Sequence, residues 1–302
     1  MLGPNQNKND LTNGHKAISR LEWYVFSVIL VAAILSFIAV NAQAIGDGYL
    51  RIYFLDVGQG DSEFIQNFNG NQVLIDGGPD DKVLSDLAKV MPINDRSIDM
   101  VILTHPHSDH VTGLIDVLKR YQVGQILENN YPYQAPVYDE WNKIKTNSVV
   151  TQAVAGQVVD LGGGVKMTVV FPGVSEAGKF NSNPNNTSVV TRLTYGDESV
   201  LFTGDIEAPV EKKLTLNGSI LDSDFLKIGH HGSRTSTTED FLNAVTPKVA
   251  FIEVGAGNTF GHPNQEVLDR LANHGIKYYR TDKDGTIELI LDGQSFSTKE
   301  NI

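Results

Sequence analysis

Residues 100–110 read MVILTHPHSDH, and this stretch decides the fold. Its first part, Met100–Leu103, is a continuous apolar run between polar residues, which is typical of a strand buried on both faces. His105, His107, Asp109 and His110 follow directly. Loops at the carboxyl ends of such strands line the crevice in which α/β proteins place their functional sites. Because imidazole and carboxylate groups suit zinc, manganese or iron, this stretch predicts a metal site.

Two later segments repeat the pattern of an apolar strand that ends in polar side chains. Asp205 ends the run Leu201–Asp205, LFTGD, and capping of the following helix is the alternative role for this carboxylate. The pair His230 and His231 follows the run Leu226–Ile228. Buried histidines need partners for their ring nitrogens, so a neighbouring pair is better explained by function than by packing. Both segments are therefore predicted to join the metal site.

The chain from Tyr49 onward alternates strand-like and helical patterns. Short runs of β composition predict strands at Leu50–Leu55, Glu63–Gln66, Gln72–Ile75, Met100–Leu103, Val165–Phe171, Val189–Leu193, Val200–Thr203, Leu226–Ile228, Val249–Ile252 and Ile287–Leu291. Helical spacing predicts helices at Asp80–Val90, from Leu114 onward, and at Pro209–Leu216, Thr238–Val245 and Gln265–Asn273. Strand runs followed by helices occur in two similar halves of this region. This repetition predicts a layered α+β or α/β fold, with two sheets face to face and helices outside. No linker-like segment follows residue 48, so residues 46–302 are predicted to form one domain.

The first 45 residues differ from the rest of the chain. Residues 1–22 form a polar segment that predicts a disordered lead-in. Residues 23–45 contain the apolar run Val25–Val40, which predicts one N-terminal apolar helix that is a signal peptide or a membrane anchor. A buried core helix is the alternative, because the run is shorter than the about 20 residues that span a bilayer. Lys8, Lys16 and Arg20 precede the run, so we expect an extracytoplasmic domain, anchored by this helix or secreted after cleavage near Ala44.

The composition excludes several classes of protein. The 302 residues include no cysteine, which excludes a disulfide framework, a zinc finger and an iron–sulfur site. The formal net charge of −12 argues against broad, non-specific adhesion to DNA. A local groove for nucleic acid remains compatible with this charge, especially where bound cations supply a positive field.

Several motifs, in this order along the chain, resemble those of the metallo-β-lactamase fold. The resemblance is specifically to the extracytoplasmic hydrolase domain of ComEC-type competence proteins and their stand-alone relatives, and it covers roughly residues 50 to 292. The motifs that carry it are Asp56–Asp61 (DVGQGD), Ile75–Gly78 (IDGG), His105–His110, Thr203–Asp205 (TGD), His230–Ser233 (HHGS), Phe260–Pro263 (FGHP) and Thr281–Gly285 (TDKDG).

The resemblance implies an αββα sandwich with one or two divalent ions, zinc or manganese, at one edge of its sheets. By position, the implied ligands are His105 and His107 for the first ion, Asp109, His110 and His230 for the second, and Asp205 between the two. Asp76 is implied to orient a ligand histidine and to fix its tautomer.

One departure from the family pattern concerns the first ion. Most members supply it with a further histidine, but no histidine lies between His110 and His230 in this chain. The corresponding stretch is Asn185–Ser188, in which Asn186 and Ser188 are candidates for a weak oxygen ligand or a substrate contact. The first metal site is accordingly expected to be weaker, to be harder in its metal preference, or to stay empty until substrate binds.

The expected chemistry is hydrolysis of a phosphodiester, because paired cations activate water and neutralise the attacking and leaving oxygens. Asp109 would also aim the nucleophile, and His231 or His262 would protonate the leaving oxygen. The candidates for phosphate binding are Ser233, Ser236, the Gly232 amide, Lys227 and Arg234, although the two cations are equally well explained as solvated surface charges. The loop aromatics Tyr131, Tyr133, Tyr138 and Trp141 would stack on bases or simply pack the loop.

We therefore predict a metal-dependent phosphodiesterase, and specifically a nuclease acting on DNA outside the cytoplasmic membrane. Hydrolysis of another envelope or small-molecule phosphodiester is one alternative. A non-catalytic component of an uptake machine that binds metal and DNA is another. The one apolar segment would contact the membrane but could not conduct DNA, so any role in transformation requires a partner from the uptake machinery.

Overall fold

The computed structural model describes residues 20–44 and 47–302, which belong to two compact units. The first unit contains helix α1 (Arg20–Ala44). None of the helices in these two ranges combines the length and the apolarity that a membrane crossing requires. Most of the predicted lead-in, residues 1–19, lies outside the described residues, as do positions 45 and 46 beside the predicted cleavage point.

Two sheets build the second unit. The strands in its described residues are β1 (Leu50–Phe54), β2 (Glu63–Gln66), β3 (Gln72–Ile75), β4 (Ser97–Leu103), β5 (Gln122–Glu128), β6 (Val149–Gln152), β7 (Val158–Gly162), β8 (Val165–Phe171), β9 (Val190–Tyr195), β10 (Glu198–Phe202), β11 (Phe225–Lys227), β12 (Val249–Ile252), β13 (Lys277–Arg280), β14 (Ile287–Leu291) and β15 (Phe296–Lys299). Sheet one has the order β15-β14-β1-β2-β3-β4-β5-β6, and sheet two has the order β13-β12-β11-β10-β9-β8-β7.

Helices cover the outer face of each sheet. Sheet one packs against α2 (Lys82–Val90), α3 (Ser108–Arg120) and α4 (Pro136–Ile144). Sheet two packs against α5 (Ala208–Leu216), α6 (Glu239–Val245) and α7 (Gln265–Asn273), and the short α8 (Thr281–Asp284) follows β13. The layers are therefore helix, sheet, sheet and helix, as the resemblance implied.

Strands that are buried on both faces hold these layers together. In β1, Ile52 and Phe54 point into the core between the sheets, whereas Tyr53 packs toward the helices on the outer face. Phe54 stacks on Phe251 of β12 with ring centroids 4.0 Å apart, which joins the inner faces of the two sheets. Burying apolar surface on both sides stabilises each strand by roughly 25 cal/mol per Å².

The topology brings the ends of distant strands to one edge of the sandwich. β3 and β4 run parallel in sheet one, and β10 and β11 run parallel in sheet two. The Val189 amide donates to the Thr104 carbonyl at 2.9 Å, so the segment after β4 contacts the segment before β9. Because side chains after parallel strands gather at one sheet edge, this contact places the polar motifs of both halves together.

Helix α3 begins earlier than its apolar spacing predicted. It starts at Ser108, not near Leu114, with His107 in an extended conformation as its N-cap residue. Asp109 and His110 therefore lie in the first turn of a helix and not in a loop. The helix fixes their directions, since successive residues of a helix project at different angles around its axis.

Candidate metal centre

Four segments supply the polar side chains of the site. His105 and His107 follow β4, and Asp109 and His110 open α3. Asp205 follows β10, and the one-turn segment Gly229–Gly232 after β11 carries the histidine pair. The strand ends place all of these groups at the same edge of the sandwich, as the sequence patterns predicted.

The donor atoms lie at spacings that suit metal ions. His110 Nε2 and His231 Nε2 each lie 3.4 Å from Asp205 Oδ2, and His231 Nε2 also lies 3.4 Å from Asp109 Oδ2. On the other side of Asp205, His105 Nε2 lies 3.9 Å from the same carboxylate oxygen. Donors that share one ion at about 2 Å lie roughly 3–4 Å apart, so these distances fit.

The donors form two overlapping groups. One consists of His105, His110 and Asp205, and the other of Asp109, His110 and His231. His107 extends the first group, because its Nδ1 lies 3.1 Å from His105 Nε2. Asp205 therefore lies between two potential positions for an ion, which is the role that the resemblance implied for it.

Unpartnered buried atoms provide a test of whether the site fits a metal. Among the described residues, His110 Nε2, His231 Nε2 and Asp205 Oδ1 are buried and have no hydrogen-bond partner. Leaving such atoms unsatisfied is costly unless a ligand completes them. The donor set of imidazoles and carboxylates suits zinc or manganese, so the residues fit a divalent ion.

The structure corrects the assignment within the histidine pair. His231 is buried and directs Nε2 toward Asp109 and Asp205, whereas His230 is partly exposed and its Nδ1 lies 3.3 Å from Glu207. Both histidines adopt left-handed backbone conformations, with φ of 50° and 53°. Such φ values are unusual outside glycine, so this strained turn decides which ring enters the site. His231 therefore takes the ligand position assigned to His230, and it is not available as the acid that protonates a leaving group.

Asp76 supports His110 from behind. Its Oδ2 lies 2.7 Å from His110 Nδ1, and Thr104 donates to the same carboxylate through its amide at 2.8 Å and its hydroxyl at 2.5 Å. A carboxylate on Nδ1 fixes the imidazole tautomer and leaves Nε2 free to bind a metal. This geometry suits the role that the resemblance implied for Asp76.

Asp61 supports His231 in the same way, and sequence reasoning gave it no role. Its Oδ1 lies 3.0 Å from His231 Nδ1, and the Glu253 carbonyl accepts from the same nitrogen at 3.0 Å. Burial would raise the pKa of Asp61, but Lys227 and His231 outweigh burial and lower it. The signal that could have identified Asp61 is its position at the end of the glycine-rich DVGQGD motif, directly before a buried strand.

Lys227 lies beneath the centre, which corrects its prediction as a substrate-binding residue. It has no exposed surface, and its ammonium group forms an ion pair with Asp61. Glu63 and Glu253 lie in the same buried cluster, with carboxylate oxygens within 4.8 Å of Asp61. Burial alone would lower the pKa of Lys227, but Asp61 and Asp205 outweigh burial and raise it, so the group stays charged. Lys227 is therefore a structural counter-ion for buried carboxylates.

The protonation of the histidines is set by burial and by the surrounding carboxylates. Burial lowers the pKa of His105 well below its ordinary value, and the neighbouring His110 lowers it further. Burial also acts to lower the pKa of His110, but Asp205, Asp109 and Asp76 outweigh it and raise the pKa well above the ordinary value. A metal ion binds neutral imidazole, so binding at this centre would release a proton from His110.

The asparagine-rich segment takes different roles from those expected. Asn186 Oδ1 accepts from the Glu207 amide at 3.0 Å, and Ser188 Oγ accepts from the Asp205 amide at 3.1 Å. Both side chains are buried and hold the loops in place, so neither is oriented as a ligand or a substrate contact. Asn185 is the residue that faces the histidines, with its amide nitrogen 3.3 Å from His230 Nε2. Its Oδ1 is buried and has no hydrogen-bond partner among the described residues.

The other predicted substrate contacts lie at different depths. Ser236 is buried and donates to the Ile206 carbonyl at 2.9 Å, so it cannot bind a phosphate. Ser233 is nearly buried, with its hydroxyl 2.9 Å from that of Thr235, whereas Arg234 is exposed. Of the predicted set, Arg234 keeps a position from which it could reach a ligand in solution.

His262 lies at the rim of the centre. Its ring centroid is 5.4 Å from that of His230 and 6.4 Å from that of His231. Burial and the charge of His230 lower the pKa of His262 to about 4, so the ring is neutral at pH 7. A half-buried neutral imidazole at the rim can donate a hydrogen bond to a bound anion.

The loop aromatics divide into packing and accessible groups. Trp141 is fully buried and donates to Glu128 at 2.7 Å, and Tyr138 is buried too; both lie in α4 and not in a loop, and they pack in the core beside sheet one. Tyr133 is partly exposed, with its ring centroid 5.8 Å from that of His107. Tyr131 is mostly buried, and its ring centroid lies 6.1 Å from that of Tyr133. Of the four aromatic side chains, only Tyr131 and Tyr133 near His107 are therefore candidates for stacking on a base.

Comparison with known proteins agrees with the site and the fold. Residues 55–255 match the family model described as the metallo-beta-lactamase superfamily. The chain is 30% identical over 259 residues to ComE operon protein 3 of Bacillus subtilis, covering 79% of this chain and 32% of that protein. It is 29% identical over 269 residues to competence protein ComA of Neisseria gonorrhoeae, covering 87% of this chain and 35% of that protein. The chain thus spans about a third of the length of these relatives.

A solved structure shares the fold at low sequence identity. A variant of the CmlA β-hydroxylase superposes with a TM-score of 0.52 at 15% identity, covering 80% of this chain and 53% of that one. At this identity the likeness concerns the fold alone. The family match covers the strand ends and the helix that carry His105, Asp109, His110, Asp205 and His231. The chain therefore belongs to the metallo-β-lactamase superfamily of metal-dependent hydrolases.

Proposed function

We propose that the chain is a metal-dependent phosphodiesterase, and specifically a nuclease that cleaves DNA outside the cytoplasmic membrane. The observation that carries the proposal is the pair of overlapping donor groups that share His110 and lie on either side of Asp205. Two divalent ions there would supply an activated water and would neutralise charge on both reacting oxygens of a diester. The competence names of the relatives support DNA as the substrate.

The chain's own residues have distinct positions in this reaction. Asp109 is the donor carboxylate with the most exposed side chain, and His231 fixes its direction at 3.4 Å. It is therefore placed to hold an ion and to orient a nucleophile that enters from solvent. His262 at the rim, and the exposed Arg234 three residues after His231 in the chain, are the groups proposed to contact the phosphate or the leaving oxygen.

Localisation and partners extend the proposal. The apolar run Val25–Val40 and the basic residues before it support export, with the hydrolase domain outside the membrane. A role in transformation would need a partner from the uptake machinery to conduct DNA. Protease treatment of intact cells tests the location: digestion of the domain without lysis is expected, and full protection until lysis would refute export.

A substrate panel tests the activity. The full chain, loaded with manganese or zinc, is incubated with single-stranded DNA, duplex DNA and bis(p-nitrophenyl) phosphate. We expect cleavage of DNA and of the small diester, both abolished in Asp109→Asn. Asp116→Asn, which changes an outward carboxylate on the same helix, is the matched control and should retain activity.

The outcomes separate the alternatives. Cleavage of the small diester without any cleavage of DNA would refute the nuclease and favour a hydrolase of another phosphodiester. Metal-loaded protein that cleaves nothing would refute catalysis and favour a component that only binds metal and DNA. Unchanged activity in Asp109→Asn would refute the assignment of the site.

A further inference from the structure

Exposed aromatic rings flank the metal centre on two sides. Phe180 is 75% exposed and Phe260 is 69% exposed, although large apolar side chains are costly to leave in water. Phe180 belongs to the loop before the asparagine-rich segment, and Phe260 belongs to the loop that carries His262. A series of neighbouring rings lies between each of these two side chains and the histidines of the centre.

On the His107 side, the rings form a series that leads outward. Tyr133 lies 5.8 Å from His107, Tyr131 lies 6.1 Å from Tyr133, and Phe180 lies 6.2 Å from Tyr131, all measured between ring centroids. Tyr131 and Phe180 are nearly parallel, at 21°. The Tyr131 hydroxyl donates to the Asn181 carbonyl at 2.5 Å, which holds the two loops together.

These rings border an open groove of about 650 Å³. Its polar lining comes from Gln134, Asn181 and Ser182, whose groups can donate to or accept from the edge of a base. Lys179, next to Phe180 in the chain, is exposed and lines an adjoining pocket that shares Phe180 and Asn181 with this groove. A flat, apolar ring can stack on a base, the amide groups can bind the edge of that base, and the cation can pair with a phosphate. This region therefore offers a contact for each of these parts of a nucleotide.

On the His262 side, a single stack leads outward. Phe260 lies 6.0 Å from His262 at an interplanar angle of 26°, and His262 lies 5.4 Å from His230. Asn258 holds this loop, because its side chain accepts from the His262 amide at 3.1 Å and donates to the His262 carbonyl at 2.7 Å. Phe260 is thus presented to solvent on an ordered turn.

We infer that Phe180 and Phe260 are stacking positions for nucleobases on the two sides of the scissile phosphate, and that they select single-stranded nucleic acid. The inference rests on the proposed nuclease function. Aromatic side chains bind single strands by stacking on unpaired bases, whereas the bases of a duplex are already stacked on each other. Stacking also supplies affinity that this acidic chain cannot gain from its overall charge.

The variants that test this inference change only exposed rings. Phe180→Ala and Phe260→Ala remove stacking, Phe180→Tyr retains an aromatic ring, and Ile220→Ala changes a side chain of similar exposure that lines a different pocket. Each variant of the metal-loaded full chain is assayed on a 12-nucleotide single strand, on an abasic strand of the same length, and on bis(p-nitrophenyl) phosphate.

The expected result is specific to the bases. Each alanine variant should raise KM for the single strand about tenfold at little change in kcat, since one stacked base contributes on the order of a tenfold change in affinity. Phe180→Tyr and Ile220→Ala should resemble the wild type. Cleavage of the small diester should be unchanged in all variants, and the wild type should bind the abasic strand more weakly than the complete one.

Two failures can be distinguished. Equal KM values for the abasic and complete strands, or alanine variants that match the wild type, would overturn the stacking inference while leaving the phosphodiesterase intact. Wild-type protein that cleaves no diester would overturn the proposed function. In that case, fluorescence anisotropy of the labelled strand with each metal-loaded variant still decides whether Phe180 and Phe260 bind bases.

Discussion

Replacing Lys227 by methionine tests whether this residue stabilises the fold from within. Methionine keeps much of the side-chain length and removes the charge. In the wild type the ammonium group pairs with Asp61, inside a cluster that also contains Glu63 and Glu253. All four side chains are buried. Without the cation, three carboxylates with oxygens within 4.8 Å of one another would lose their counter-ion.

The magnitude follows from the burial of the pair. Removing one partner of a buried ion pair costs about 3–5 kcal/mol of unfolding free energy, because the other charge stays desolvated. For a domain of this size, each kcal/mol lowers Tm by roughly 2–4 °C, so Tm should fall by about 6–20 °C. The loss should be larger at pH 8 than at pH 5, because burial raises the pKa of Glu253 to about 8 and protonated carboxyls need no counter-ion.

Urea unfolding of the metal-free full chain measures this change without any contribution from bound ions. Lys248→Met is the matched control, since Lys248 pairs with Asp224 at 2.7 Å but is 68% exposed. Exposed pairs contribute at most about 1 kcal/mol. A loss in Lys227→Met no larger than that in the control would refute the reasoning and would return Lys227 to the candidates for substrate binding.

Three further predictions concern the centre and one distant carboxyl group. Asp76→Ala should weaken metal affinity by about 10- to 100-fold, because Asp76 orients the ligand histidine His110. Isothermal titration with zinc measures this affinity, and an unchanged value would contradict the prediction. His231→Ala should lower the bound metal far more than His230→Ala, as measured by elemental analysis after dialysis; the reverse order would contradict the ligand assignment. Burial raises the pKa of Glu198 to about 7, so the folded state binds this proton more tightly than the unfolded state, and stability contributed by the neutral group is lost as pH rises from 4.5 through 7. Glu198→Gln should therefore raise Tm relative to the wild type at pH 8 but not at pH 4. The control is Glu140→Gln, at an exposed position, which should change Tm equally at both pH values. The same pH dependence of Tm in the two variants would refute the burial argument.

Local patterns in the sequence predicted most of the central strands. Continuous apolar runs such as Val249–Ile252 have the same bounds in the structure, because a strand buried on both faces must be apolar throughout. Helix α7 also begins and ends where its spacing predicted, at Gln265 and Asn273. Strands such as β5 (Gln122–Glu128) and β13 (Lys277–Arg280) were missed, since their polar residues and partial exposure leave no continuous apolar run.

The sequence by itself determined the chemistry of the site: histidines and aspartates directly after buried strands already indicated a metal centre in a layered fold. Only the tertiary structure decided which of two adjacent histidines, His230 or His231, enters that centre, because a left-handed turn orients them differently. It also decided that Lys227 lies inside and that Asp61 reaches His231. Residue type and spacing specify which groups can bind an ion. Their burial and direction depend on partners that are distant in the chain, and these partners meet only when the two sheets pack.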